Sequence, residues 1–550
     1  MADNMALETS APLLVDNTNC LQTSKESFPD DEYHRGPSEP TLSEVSGFRF
    51  SFLNIFAKIF PSLSQQISQV TEEIKKLYTI AFPMIITGLL VYGKSMISML
   101  FMGRLGKDAL AGGSLSSGIA NITGFSIISG LALGMEGISS QACGAKQWSL
   151  MGQTLQRTII ILLLTSIPIS FLWLKIEPIL IFFRQDSIIS SIAASHLAFC
   201  LPDLIFQSII NPLKIFLRTQ NITLPLMYSA AFSLTLHAPI NYLLIHKLGL
   251  GIRGIAAASS ITDFIMLLLI MLHIIFSGVC KRSWPGWSLD CFNDWKPILK
   301  LALPSCVSVC LEWWWYELMI LLSGLLSNAA EVVASMGILL QATSLIYIFP
   351  SSLSLAVSTR VGNELGANQP GKARTSCLVA ITCAVFTSII SLSFMAVLRN
   401  SWGRAITEDK AILSLTALLM PVVGLCELGN CPQTAGCGVL RGCARPTMAA
   451  SINLGSFYGV GLPLAIAMGF GLGKGLLGLW LGLLVAQAVC AVLMVFVLRR
   501  TDWIVQANRA RELTGIEDDP HQEAQDKYTI WNSQDGQLSQ AKESISTITM

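Results

Sequence analysis

Apolar runs of about twenty residues recur along most of the chain, separated by short stretches carrying Gly, Pro and charge, and each is long enough for a helix to cross a bilayer. Twelve are predicted, over 77–102, 109–141, 154–174, 190–217, 225–246, 252–276, 297–325, 332–360, 374–398, 411–440, 447–469 and 475–498. Ahead of them Phe48, Phe52, Ile55, Phe56, Ile59 and Phe60 recur at helical spacing and lead into the polar run Gln65 to Lys76, which predicts an interfacial amphipathic segment over 47–76. Residues 1–46, rich in Ser, Thr, Pro, Asp and Glu, cannot bury a core and are expected to be a disordered tail. The predicted fold class is an all-α polytopic membrane protein of twelve transmembrane helices in two six-helix lobes, 77–276 and 297–498, joined by a linker over 277–296 and closed by a tail over 499–550.

The two lobes are inferred from an internal repeat. Pro83 precedes Gly103 as Pro304 precedes Gly324, since 304 − 83 = 221 and 324 − 103 = 221. Gly144-Ala-Lys-Gln147 matches Gly366-Ala-Asn-Gln369 at an offset of 366 − 144 = 222, and Leu217-Arg218 matches Leu440-Arg441 at 441 − 218 = 223. Gly249-Leu-Gly251 is aligned with Gly471-Leu-Gly473 at 471 − 249 = 222. Six spans inserted twice in one orientation give two bundles about an axis along the membrane normal, with a cleft between them that suits alternating access.

Composition agrees: 52% of the 550 residues are hydrophobic and 13% charged, which no soluble domain of this size shows. The net charge of +1 offers nothing to nucleic acid. Lys75, Lys76, Arg499, Arg500, Arg509 and Arg511 flank the first and last spans, and Lys281, Arg282, Arg360, Lys372, Arg374, Arg441 and Arg445 fall in or beside even-numbered loops, so both termini are expected in the cytosol. The chain begins with a polar stretch, and insertion is expected to rely on the first span. The Cys residues lack metal-ligand spacing with His and are read as small membrane-buried side chains, with no disulfide framework and no metal expected.

Against that apolar background a few polar residues at membrane depth carry the candidate chemistry, because a buried acid is costly unless paired, protonated or wet. In the first lobe Lys94, Asp203, His237 and Asp263 are candidates for self-neutralising pairs, Lys94 with Asp203 and His237 with Asp263. The second lobe holds Glu312 and Glu317, inside Cys310 to Glu317 (CLEWWWYE), and Glu427, with no Lys, Arg or His at similar depth. Carboxyls left in a partly dry cavity can exchange protons near neutral pH and trade them for an organic cation. Trp313 and Tyr316 offer flat faces for a cation or ring, and Gln341 and Tyr347 are candidates to line the same cleft. Glu312 and Tyr316 share a helix face, whereas Glu317 lies about 140° round the helix from Glu312. That leaves one of the two acids for a structural role, with Glu312 the stronger candidate. Glu136, near the end of span two, is expected to be solvated or to pair between helices.

EWWWYE at Glu312 to Glu317, STRVGNELGANQ at Ser358 to Gln369, QACGAKQ at Gln141 to Gln147 and GVLRG at Gly438 to Gly442, together and in order, resemble the eukaryotic multidrug and toxic compound extrusion (MATE) family, in particular its plant DETOXIFICATION branch, over roughly residues 75 to 500. The resemblance implies a monomeric antiporter that expels small organic molecules from the cytosol in exchange for protons, with no cofactor beyond the proton gradient, in the plasma membrane, the vacuolar membrane or another endomembrane. It implies coupling roles for Glu312 and Glu427, and Glu317 matches a further acid of the eukaryotic pattern. The first span has Lys94 where many prokaryotic relatives carry an Asp. Two other readings predict different features: a lipid flippase would show a strongly basic cavity, and a membrane-bound regulator would act through its tails. No nucleophile, base and orienter assemble into an enzyme's site.

Overall fold

Long helices dominate the structure, a computed structural model that describes residues 61–515; the expected tail 1–46, the 47–60 part of the amphipathic segment and residues 516–550 lie outside the described residues. The helices are α1 (Pro61–Arg104), α2 (Lys107–Gly144), α3 (Trp148–Leu174), α4 (Ser187–Thr219), α5 (Leu224–Tyr242), α6 (Ile252–Ser277), α7 (Lys296–Ser323), α8 (Ala329–Gly366), α9 (Pro370–Leu398), α10 (Lys410–Gly442), α11 (Pro446–Gly471), α12 (Leu476–Arg499) and α13 (Trp503–Thr514). Among the described residues eleven of these are long and apolar enough to cross a membrane; the twelfth span is α5, whose apolar run is broken by His237 and Asn241 and which continues as a π-turn over Leu243–Lys247. Two lobes result, α1–α6 and α7–α12.

The repeat is written into the geometry of the ends. Asp186 caps α4 through the amides of Ile188 and Ile189 at 2.8 and 3.1 Å, and Asp409, its mate at 409 − 186 = 223, caps α10 through Ala411 and Ile412 at 2.8 and 3.2 Å. The glycine turn before the last helix of each lobe corrects the sequence alignment. Positive φ falls at Gly249 and Gly251 in the first lobe and at Gly473 and Gly475 in the second, so the offset there is 473 − 249 = 224. The left-handed backbone, which glycine adopts without a Cβ clash, sets the register rather than the glycine spelling.

Two boundaries also move. At the expected 76/77 boundary the chain does not pause, because α1 runs as one helix from Pro61 across it; Pro83 sits inside it and Thr87 Oγ1 donates to the Pro83 carbonyl at 2.8 Å. The start of the expected 499–550 tail is a packed helix: α13 is capped by Asp502 and buries Ala507, Ala510, Arg511 and Thr514.

α1 and α7 each begin against the opposite lobe. Leu77, Ile80 and Ala81 join the second lobe's core while Met84 joins the first; in α7, Ala302 packs into the first lobe's core and Trp315 and Met319 into the second's. At the start of α1, Glu73 receives Arg360 Nε and Nη2 of α8, both at 2.9 Å, and Ser376 Oγ of α9 at 2.6 Å. Farther along, Lys94 is bound to Asp263 of α6 at 2.6 Å.

At the end of the bundle where α2, α4, α8 and α10 finish, the lobes are locked together. A Cβ at Gly144 would stand 2.0 Å from the Asn363 carbonyl oxygen, and one at Gly366 only 1.9 Å from that of Gln141. These two glycines are repeat mates, so α2 and α8 interlock backbone to backbone about the pseudo-twofold axis. Gln141 Nε2 donates to the Gly442 carbonyl at 2.9 Å and its mate Asn363 donates to the Thr219 carbonyl at 3.2 Å, each reaching the end of the opposite lobe's helix.

Candidate functional site

Midway along the lobe interface, a cavity of about 290 Å³ opens between α2, α7 and α8. Glu312, Trp313, Trp314, Tyr316, Glu317 and Ile320 line it from α7, and Leu340, Thr343, Ser344 and Tyr347 from α8. Rows 312/316/320 and 313/317 are adjacent on the helix surface, so both acids border one stripe despite their angular separation. α7 is held in that rotation by Trp315, which is buried against the rings of Phe457 and Tyr458, and by Tyr458 donating to the Leu311 carbonyl at 3.0 Å.

The first lobe supplies the far wall through a π-turn in α2, Asn121–Phe125. Trp173 fixes it: its Nε1 donates to Thr123 Oγ1 at 2.9 Å, and its ring lies where a side chain on Gly124 would have to go. Asn121 and Ile122 thereby face the cavity. A Cβ on Gly118 would come 3.7 Å from Glu317 Oε2, so this acid looks across the cleft at the bare backbone of α2.

Glu312 looks the other way, into the second lobe, with Tyr347 and Gln433 beside it. Tyr316 is close to both Glu312 and Glu427, with Gln487 next to it, and the two acids are within charge range of each other. Glu427 is 1% exposed; its Oε2 accepts from Asn430 Nδ2 at 2.9 Å and from Cys431 Sγ at 3.7 Å. Among the described residues no Lys, Arg or His comes within ion-pair distance of Glu312, Glu317 or Glu427. The oxygens of Gln433 and Gln487 are buried without a hydrogen-bond partner, which leaves acceptors free inside this polar core.

Of the predicted residues, Glu312, Trp313, Tyr316, Glu317 and Tyr347 meet at one cavity, and Glu427 lies behind them. Gln341 does not line it. The α8 face toward the cavity runs 340, 343, 344, 347, and Gln341 sits off that row, its Nε2 near Met99 Sδ at 3.5 Å and its carbonyl accepting from Tyr92 at 3.4 Å. Thr343, Ser344, Asn121 and Gln433 were not singled out from sequence. The repeat held a signal for one of them: Thr343 is the mate of Asn121 at 343 − 121 = 222.

In the first lobe the buried charges do neutralise one another, with crossed partners. Lys94 binds Asp263, not Asp203, and Gln207 Nε2 holds the other Asp263 oxygen at 2.8 Å. His237 is satisfied by Ser98 Oγ at 3.0 Å, Thr262 Oγ1 at 2.8 Å and Asn241 Nδ2 at 3.1 Å. Thr262 precedes Asp263, so one step round α6 turns the hydroxyl to His237 and the carboxylate to Lys94. Asp203 stands beside Asp263 with one oxygen buried and unpartnered, and Lys214, absent from the sequence prediction, is within charge range of both. Lys94→Met leaves Asp263 without its cation and is expected to cost about 3–5 kcal/mol. The thermal midpoint of the purified protein should fall, and Lys94→Met with Asp263→Asn should recover part of the loss.

Of the two readings of Glu136, pairing between helices holds and solvation does not. Its side chain is 0% exposed and bound by two arginines, Arg218 Nη2 of its own lobe at 2.6 Å and Arg441 Nε of the other at 3.1 Å. Those arginines are repeat mates. The mate of Glu136 itself, at 358 − 136 = 222, is Ser358, buried with an unpartnered hydroxyl, so one acid serves both.

Two bundles in pseudo-twofold repeat, enclosing a cleft lined by acids and aromatic rings, define a membrane transporter. The MatE family model matches residues 83–243 and 304–467, one copy per lobe, and its two starts lie 304 − 83 = 221 residues apart. The chain is 56% identical to Protein DETOXIFICATION 48 of Arabidopsis thaliana over 80% of this chain and 83% of that protein, and 54% identical to Protein DETOXIFICATION 49 of the same plant over 82% and 91%. The crystal structure of the eukaryotic MATE transporter AtDTX14 superposes with a TM-score of 0.78 at 32% identity, covering 81% of this chain and 100% of that one. An outward-facing multidrug resistance MATE family transporter shares the fold at TM-score 0.70 and 16% identity, over 80% and 97%. The chain belongs to the MATE family of transporters and is not an enzyme.

Proposed function

We propose that the protein is a proton-coupled antiporter that moves small organic molecules with cationic or polar aromatic character out of the cytosol, with Glu312 and Glu427 exchanging protons for substrate and Glu317 facing the substrate from the cleft. The single observation that carries this reading is the contrast between the lobes. The first lobe ties Lys94 to Asp263, while the second keeps Glu312 and Glu427 within charge range of each other and of Tyr316, with no fixed cation within ion-pair distance of either. A buried acid without a counter-ion can be neutralised by a proton or by a cationic substrate, and competition between the two is what exchange requires. The cavity's aromatic walls, Trp313, Trp314 and Tyr316, suit a flat or cationic solute. In this reading the locked end of the bundle is the cytosolic one and both termini lie there, in keeping with the Lys and Arg of the even-numbered loops.

The test is uptake of tetraethylammonium, as a plain organic cation, into proteoliposomes of known orientation. An imposed pH gradient should drive accumulation above the external concentration, and a protonophore should abolish it. Equilibration without accumulation, at any gradient, would sink the coupling.

A further inference from the structure

We infer that Arg441 is a positioning residue that links the carboxylate site to the lock between the lobes, held by Glu136 when the locked end is closed and drawn off it by Glu312 when that acid is charged and empty. The inference rests on the proton-coupled reading above and gives it a mechanical output.

Glu136 carries two arginines although one would neutralise it. Arg218 binds it from within the same lobe, Arg441 from across the interface. When the lobes part, Glu136 keeps Arg218 and no buried carboxylate is orphaned, which removes the penalty that usually makes a buried ion pair a poor hinge. Only Arg441 changes partner. Its side chain is 15% exposed, against 0% for Glu136, and its Nη2 donates to Ser354 Oγ of its own lobe at 2.8 Å, so it is the more accessible member of the pair and has a second partner.

The second acid within its range is Glu312. Gln433, beside Glu312, is on the same helix as Arg441, eight residues earlier since 441 − 433 = 8, or about 12 Å of helix. At that separation in a partly dry interior, one charge changes an equilibrium involving the other by roughly tenfold. The charged or titratable groups facing Arg441 are Glu136, Arg218, Glu312, Tyr347 and Cys437, and of these only Glu136 and Glu312 are acids of opposite charge. A charged, empty Glu312 therefore competes with Glu136 for the same cation and loosens the lock. A Glu312 neutralised by a proton or covered by a cationic substrate leaves Arg441 to Glu136, and the end stays shut. The repeat mate of Glu136 is the uncharged Ser358, so the switch exists once and answers only to the lobe that holds the free acids.

The experiment reads opening directly and uses no gradient. Ser358→Cys places a thiol at the fully buried repeat mate of Glu136, and the rate of its labelling by a membrane-impermeant maleimide in lipid nanodiscs reports how often that end opens, with the parent protein as the blank for native thiols. Arg441→Gln should raise the rate roughly tenfold, and Arg441→Lys should return it toward the parent. Glu312→Gln, which breaks no contact between the lobes, should lower the rate by a similar factor, and in the Arg441→Gln background it should have no further effect. Unchanged or faster labelling in Glu312→Gln overturns the inference, with no need for the arginine variant to fold. So does a Glu312→Gln effect that persists undiminished in Arg441→Gln. Failure of proton coupling itself would appear as loss of gradient-driven uptake and would leave these rates untouched.

Discussion

Glu427→Gln is expected to abolish gradient-driven accumulation of substrate, leaving proteoliposomes indistinguishable from protein-free vesicles, while the purified protein keeps its elution profile and thermal midpoint. The substitution is nearly isosteric and retains an oxygen to accept from Asn430, so packing around the 1%-exposed side chain is preserved. What is lost is the proton. Glu427 does not line the cavity, and its hydrogen-bond partners Asn430 and Cys431 carry no charge that could take over. Glu312→Gln should give the same loss of accumulation. Because Glu312 borders the cavity directly and Glu427 does not, that variant should also bind a cationic probe more weakly than Glu427→Gln does. Accumulation at the parental rate in either variant would remove that residue from the coupling.

The second large effect is steric. Gly366→Val is expected to stop transport by preventing the locked end from closing. A Cβ there would meet the Gln141 carbonyl oxygen at 1.9 Å, and backbone, unlike the tip of a long side chain, has nowhere to retreat. Overpacking of this kind costs about 1–3 kcal/mol or more, and since each 1.4 kcal/mol is a factor of ten, the closed state should become 10- to 100-fold rarer. Spin labels at the exposed Lys281, just after α6, and Lys372, at the start of α9, should show a single distance in the parent and a longer, broader distribution in Gly366→Val. The same distribution in parent and variant would mean that α2 and α8 do not need this approach. Gly144→Val, at the mate position against the Asn363 carbonyl, should behave alike.

These two sites were unequally readable from the sequence. Membrane helices announce themselves through composition, and the repeat through spacing, so twelve spans and two lobes follow from one dimension. The acids were readable too, because a Glu in an apolar run has few cheap explanations. Pairing was not. Whether Lys94 meets Asp203 or Asp263 depends on helix rotation and on which of two adjacent residues, Thr262 or Asp263, faces inward, and depth along the span says nothing about that. Gln341 failed for the same reason: one residue on a helix is about 100° of rotation, enough to move a side chain off the cavity face. For Glu136 pairing between helices was legible but the partners were not, because they lie 82 and 305 residues away, so the sequence shows a lone acid where the fold builds a triad. The polar run before the first span hid a buried acid: Glu73 is bound to α8 and α9, while its neighbours Glu72 and Lys75 stay exposed.

α1 is anchored to the second lobe at Glu73 and to the first at Lys94, with an unbroken helix between. The two anchors are 94 − 73 = 21 residues apart, about 32 Å, and a helix does not stretch. α1 is therefore a leash of fixed length. Rocking of the lobes can swing it and can flex it at Pro83, where a backbone hydrogen bond is missing, but cannot lengthen it. It caps how far the Glu73 and Lys94 anchor points can move apart while both ion pairs hold.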